Sequence, residues 1–210
     1  AMSLEHHWFS SIYGPIFLIG QGLTALAFFT ILIYAFRTRS PFQAIADSNQ
    51  FHDLGKMMFA FVVLWAYVSF SQYLIIWSGN LLEEITWYTR RSGNGWQILA
   101  ILLMVFHFAV PFFVMLSRAV KRHARLITGM AVGLLVMRFA DLVWTIQPGL
   151  DHALGIESTA GINWAVIPLM VGMGGLWLYC FFRILSGRPL LALKDPDFPG
   201  VLPAAEGQHG

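Results

Sequence analysis

Arg138 and Asp141 stand three residues apart in Leu-Leu-Val-Met-Arg-Phe-Ala-Asp-Leu-Val-Trp, residues 134 to 144, a stretch otherwise made of apolar side chains. On a helix that spacing puts both on one face and within reach of each other. A charged side chain in hydrocarbon costs roughly 2.5–3.5 kcal/mol even on the lenient insertion scale, so it is kept only where protein, water or a counter-charge receives it. The pair therefore points to an ion or proton path. A structural ion pair that locks helices together is the other reading of the same two residues.

Counting depth at 1.5 Å per residue brings further polar groups toward that level. Gln72, with Ser69 and Ser71, falls in the outer third of its run, His107 near the middle of the next, and Gln21 at a similar depth on the first. Polar residues at one depth on several helices are what a proton relay requires, since a proton moves only between groups in hydrogen-bond reach directly or through water. Glu83 and Glu84 would form the outer mouth of such a path, or else an ordinary solvated turn paired with Arg90 and Arg91. His52, Asp53 and Lys56 would form the inner mouth, although Asp53 could equally cap a helix and Lys56 snorkel to lipid phosphate. Between the mouths Tyr67 is the expected relay member, because its hydroxyl both donates and accepts. His107 alone could also be an interhelical hydrogen-bonder.

The elements that must hold these groups are membrane spans. Of 210 residues, 57% are hydrophobic and 11% charged, with 18 Phe and 8 Trp. Five runs reach the roughly 20 apolar residues needed to cross a bilayer: about Ile12 to Phe36, Leu54 to Trp77, Trp96 to Ser117, Ala124 to Ile146 and Asn163 to Leu185. The expected fold is all-α, a polytopic bundle of five transmembrane helices over residues 1–186 with a Pro/Gly-rich tail over 187–210. Connections are short, so a catalytic or redox domain must come from another chain.

Basic residues gather at one set of ends: Arg37, Arg39, Lys56, Arg118, Lys121, Arg122, Arg125, Arg183, Arg188 and Lys194. The opposite ends hold Glu5, Glu83, Glu84, Asp151 and Glu157. Retention of Lys and Arg in cytoplasmic loops places the N-terminus outside and the tail in the cytoplasm. A nucleic-acid partner need not be invoked for the basic balance. The Trp residues at 8, 77, 87, 96, 144 and 164 read as interfacial anchors. Gly129 with Gly133, and Gly172, Gly174 and Gly175, read as packing signals. The start, Ala-Met-Ser-Leu-Glu-His-His-Trp, lacks the features of a signal peptide, and further membrane helices are expected before Ala1.

Cys180 is the single cysteine, so the chain has no set of thiols for an iron–sulfur cluster, a Cys-x-x-Cys-His haem attachment or an internal disulfide. Of seven histidines only His107 sits well inside a run, which makes a bis-histidine haem between helices an unlikely reading.

Several segments resemble a known family: Met-Ser-Leu-Glu-His-His-Trp-Phe-Ser-Ser-Ile-Tyr-Gly (2 to 14), His-Asp-Leu-Gly-Lys (52 to 56), Phe-Ser-Gln-Tyr-Leu-Ile-Ile-Trp-Ser-Gly-Asn-Leu-Leu-Glu-Glu (70 to 84), Phe-His-Phe-Ala-Val-Pro-Phe (106 to 112) and Met-Arg-Phe-Ala-Asp-Leu-Val-Trp (137 to 144). They look like alternative complex III, in its second large NrfD-like membrane subunit of the ActF type, and the resemblance spans nearly the whole chain. It is similar to the C-terminal half of a subunit with about ten spans. His6 and Leu82 stand where the family usually has proline.

The resemblance implies a multi-pass subunit of a bacterial inner (cytoplasmic) membrane complex, a quinol:cytochrome c, or other high-potential acceptor, oxidoreductase. It implies as partners the lipid bilayer, a sister NrfD-like quinol-binding subunit, a periplasmic iron–sulfur subunit and c-type cytochrome subunits. Iron–sulfur clusters and c-type haem are then expected in those partners, with quinol or menaquinol in the bilayer, and this chain is not catalytic alone. The family's polar positions fall on Asp53, Gln72, Glu83, Glu84, His107, Arg138 and Asp141. In the expected mechanism Asp141, with Arg138 as counter-ion, and His107 pass protons to Glu83 and Glu84. A redox-silent scaffold of the same complex and an independent secondary transporter are the other classes, the latter expected to carry inverted repeats and broken helices.

Overall fold

The structure, a computed structural model, describes residues 8–39, 43, 46–156 and 166–187. Glu5, Glu157, Trp164, Arg188, Lys194 and all but the first residue of the tail lie outside the described residues, as do residues 2–7 of the segment 2 to 14.

Every regular element among the described residues is helical: α1 Tyr13–Phe36, α2 Ser48–Gly79, α3 Leu82–Thr89, α4 Trp96–Leu102, a π-helical turn Leu103–Ala109, α5 Val110–Leu116, α6 Arg118–Arg122, α7 Ala124–Ala153 and α8 Val166–Leu185. Five stretches are long and apolar enough to cross a membrane: α1, α2, the composite Trp96–Leu116, α7 and α8. The chain is thus an all-helical, multi-pass membrane protein.

Local chemistry sets the helix ends where hydropathy does not. The run from Leu54 is preceded by a turn and a half of polar helix, because the Asp47 carboxylate accepts the N–H groups of Asn49 at 3.0 Å and Gln50 at 2.8 Å. Asp53 is therefore not the cap of α2; it sits inside the helix. Asn80, in the left-handed region at φ 48, ends α2 by returning its N–H to the Ile76 carbonyl at 3.1 Å. The third span is interrupted because Pro111 has no N–H for the carbonyl of His107, four residues back; the chain widens to π spacing just before it. Pro148 lies inside α7, which runs on to Ala153, beyond the expected end at Ile146.

The described chain falls into two units. In the first, α1, α2, the composite span and α7 bury one apolar cluster, Leu23, Ala27, Phe51, Met58, Val62, Met115, Ile127, Ala131 and Leu134. No hydrophobic force drives this packing in lipid; close dispersion contact does, and glycine makes it closer. A Cβ on Gly55 of α2 would stand 3.0 Å from Lys121 Cγ and 3.1 Å from Ile127 Cδ1. Gly129 and Gly133, expected to serve packing, face open space and mediate no contact among the described residues. The second unit contains α8, whose side chains are all at least partly exposed, with Trp177 stacked on Phe181 at 5.3 Å. Gly172, Gly174 and Gly175 also meet nothing within 4 Å.

A second cluster, Trp8, Ile76 and Trp87 with Tyr13, Tyr88 and Trp144 against it, closes the end of the first unit opposite Lys56 and Lys121. Trp8, Trp87 and Trp96 are buried rather than turned to the interface as anchors, whereas Trp77 is exposed. The indoles pack on one another, Trp8 on Trp87 at 5.2 Å and Trp87 edge-on to Trp144 at 5.2 Å, because three rings and a buried arginine satisfy each other better there than singly.

Candidate functional site

Between the two clusters lies a cleft of about 870 Å³, walled by Phe17 of α1, Trp65 and Gln72 of α2, Tyr88 of α3, Leu103 of the π turn, and Trp144 of α7. Its walls are almost wholly apolar. Tyr67 and Phe70 of α2, with Ile101 and Met104, line it while remaining exposed, so it opens on the apolar outer surface of the described helices. Arg138 and Asp141 line it as well, and they are its charged groups of greatest consequence.

The Arg138–Asp141 pair is buried, 4% and 5% exposed. Nη1 of Arg138 donates to Oδ2 of Asp141, the contact expected from their spacing on one turn. Nε and Nη2 of Arg138 have no hydrogen-bond partner among the described residues. The guanidinium lies against the backbone of Gly20 in α1, where any side chain would collide with it, and 5.8 Å from the centre of the Phe17 ring. Asp141 is steadied from its own helix: Thr145 Oγ1 donates to the Asp141 carbonyl at 2.7 Å. The indole of Trp65 is in electrostatic reach of the Asp141 carboxylate without a hydrogen bond of ordinary geometry. Its other edge meets His107, ring centroids 4.3 Å apart at 74°. His107 is fully buried, and neither ring nitrogen has a hydrogen-bond partner among the described residues.

Gln72 is buried in the same cleft, its Oε1 accepting from Ser10 Oγ at 2.9 Å. Arg138, Asp141 and Gln72 are thus brought together, with His107 one indole away. Tyr67 is at the cleft but at its rim, 68% exposed. It is two residues from Trp65, about 200° around the helix, and Trp65 rather than Tyr67 turns inward.

The remaining expected residues stand apart. Glu83 and Glu84 occupy the first turn of α3, Glu83 exposed and Glu84 half-buried, where the helix dipole favours them. Asp53 and Lys56 pair with each other at 2.9 Å on the exposed face of α2, and His52 beside them is half-buried. Along α2, Met58 and Val62 of the apolar cluster separate these three from Trp65 and Gln72. Gln21 is exposed, turned away from the cleft.

Arg91 is not on the surface beside the glutamates; it is 3% exposed and enters the cleft wall. It donates to the carbonyls of Trp87 at 2.7 Å, Trp144 at 3.1 Å and Thr145 at 2.8 Å, and its guanidinium carbon is 3.8 Å from the Trp87 ring centre. Three contributors to the site carried little sequence signal: Arg91, Gly20 and Ser10. For Trp65 a signal existed, since Gly55, Met58, Val62, Trp65, Gln72 and Ile76 follow helical spacing on one face.

Comparison with known proteins finds no matching family model and no matching curated protein.

Proposed function

We propose that the chain is an integral subunit of a quinol-oxidising complex of the alternative complex III kind, in a bacterial cytoplasmic membrane, with the cleft taking the quinol ring. The end bearing Trp8, Trp87 and Trp144 faces outward and the end bearing Lys56 and Lys121 faces the cytoplasm, as the bias of basic residues favours. One observation carries the reading: an apolar cleft open on the apolar outer surface ends on a buried arginine and carboxylate. A lipid-dissolved molecule with an apolar body and a head that both donates and accepts hydrogen bonds suits such a cleft.

In this reading Asp141 accepts the proton of a quinol hydroxyl, and Arg138 steadies the oxygen that loses it. Oxidation of one quinol releases two protons, which Asp141 takes up and passes on one after the other, and two electrons, for which iron–sulfur and c-type cytochrome partner subunits would be the acceptors. Protons leave Asp141 toward the tryptophan end, past Gln72 and Ser10, with Glu83 and Glu84 at that end. The route is not continued to His52, Asp53 and Lys56, since the side chains of the apolar cluster lie between them and the cleft. His107, behind Trp65, serves as a neighbouring base.

The test uses the full-length protein in its native complex and a photoreactive quinol analogue. Labelling of cleft-wall peptides containing Phe17, Tyr88 or Met104, displaced by quinol and lost with Arg138→Gln, is the expected result. Labelling confined to other subunits while quinol turnover is intact would remove the substrate from this cleft. Co-isolation of c-type haem and iron–sulfur protein with the chain is the corresponding expectation for the complex.

A further inference from the structure

We infer that Arg91 replaces the backbone donor that Pro148 takes out of α7, and that by doing so it holds in place the turn that carries Asp141. An α-helical residue donates its N–H to the carbonyl four positions earlier. For position 148 that acceptor is Trp144, and proline has no N–H to give. The pyrrolidine ring also presses on that same carbonyl and bends the helix, which loosens the neighbouring acceptor.

Arg91 serves both places. Its Nε reaches the Trp144 carbonyl at 3.1 Å and its Nη2 the Thr145 carbonyl at 2.8 Å, while Nη1 returns to Trp87 of its own segment at 2.7 Å. A planar guanidinium can point donors at two successive carbonyls and a third group at once; an ammonium on a flexible stem cannot hold that geometry. The Trp87 ring at 3.8 Å and the Trp144 ring at 5.7 Å flank the guanidinium on the same segments it joins. Arg91 is buried, so water does not substitute for it at these carbonyls.

The influence passes down the helix by one more bond. Thr145, whose carbonyl Arg91 fixes, gives its hydroxyl to the Asp141 carbonyl at 2.7 Å. Arg91, Thr145 and Asp141 thus form one chain of contacts on the cleft side of α7, and Arg91 is a positioning residue for the acid. The inference stands on this geometry whether or not the cleft takes quinol.

The test is a double-mutant cycle on the full chain in membranes, with Arg91→Met, Pro148→Ala and the pair. The readout is the rate at which dicyclohexylcarbodiimide modifies Asp141, followed by peptide mass spectrometry. Arg91→Met is expected to change that rate by at least about threefold, the low end of coupling between groups in direct contact. Pro148→Ala restores an N–H opposite Trp144, so the double variant is expected to return toward the wild-type rate. Pro148→Ala alone measures what relief of the proline gives by itself, and the return in the double variant must exceed that general gain for the two residues to be coupled. A wild-type rate in Arg91→Met, or a double variant as altered as Arg91→Met alone, overturns the inference. Should Arg91→Met fail to accumulate, Arg91→Lys with and without Pro148→Ala makes the same comparison.

Discussion

The guanidinium of Arg138 rests on the bare backbone of Gly20, one span away. An alanine methyl at position 20 would stand 2.6 Å from Arg138 Nε and nearer still to its Cζ and Nη2. Gly20→Ala is expected to destabilise the protein by about 1–3 kcal/mol, the usual cost of overpacking. Gly129→Ala, in open space, is the control, expected to be neutral or to gain up to about 1 kcal/mol from helix propensity. Thermal unfolding midpoints in detergent separate the two.

Removing one member of the buried pair should be worse than removing both. Asp141→Asn or Arg138→Gln alone leaves a buried group unmatched, at a cost of about 3–5 kcal/mol. The apolar pair Arg138→Met with Asp141→Leu is expected to recover most of that stability and none of the proton release coupled to quinol oxidation. Retained proton release in the apolar pair would make the two residues structural only.

Trp65 and Tyr67 give a contrast on one helix. Tyr67→Phe, at the exposed rim, should change stability by no more than roughly 0.5 kcal/mol and leave turnover intact. Trp65→Ala should cost about 3–5 kcal/mol for the lost ring and detach His107 from Asp141. Equal effects of the two would mean that Trp65 and Tyr67 do not differ in the surroundings they face.

Tyr88, in the short helix outside the spans, supplies a pH test. Burial beside Tyr73 and Trp87 pushes its phenol above the ordinary tyrosine value, since the phenolate loses its water there. The folded state therefore holds this proton more tightly than the unfolded state. Its contribution to stability is whole below about pH 10 and is lost as pH rises beyond it. Alkaline unfolding is expected to move upward in Tyr88→Phe, measured by fluorescence against pH; an unmoved transition would mean that Tyr88 ionises freely.

The spans were legible because bilayer crossing demands length and apolarity, and both are written linearly in the chain. Arg138 with Asp141 was legible for the same reason in reverse, as charge where charge is costly. Gln72 lies in the cleft at the depth the count gives, but depth fixes height and not azimuth: Tyr67 reaches only the rim of the cleft, and Gln21, at a similar depth, is exposed away from it. The span from Trp96 read as one helix although Pro111 breaks its ladder. Arg91 was read as a surface cation because nothing local to Arg90-Arg91 tells that a proline 57 positions later leaves a carbonyl for it to serve.

The apolar cluster that parts the cleft from the basic end has an electrical meaning. A layer packed with Leu, Met, Ile and Phe side chains has a low dielectric constant, and the voltage across a membrane falls mainly where that constant is low. Charge moved within the cleft then stays on one side of that drop and feels only a small share of the roughly 2.3 kcal/mol per 100 mV that a full crossing would cost. If the proposed function holds, proton release at Asp141 is expected to depend little on membrane voltage, and a steep dependence would place the low-dielectric layer elsewhere.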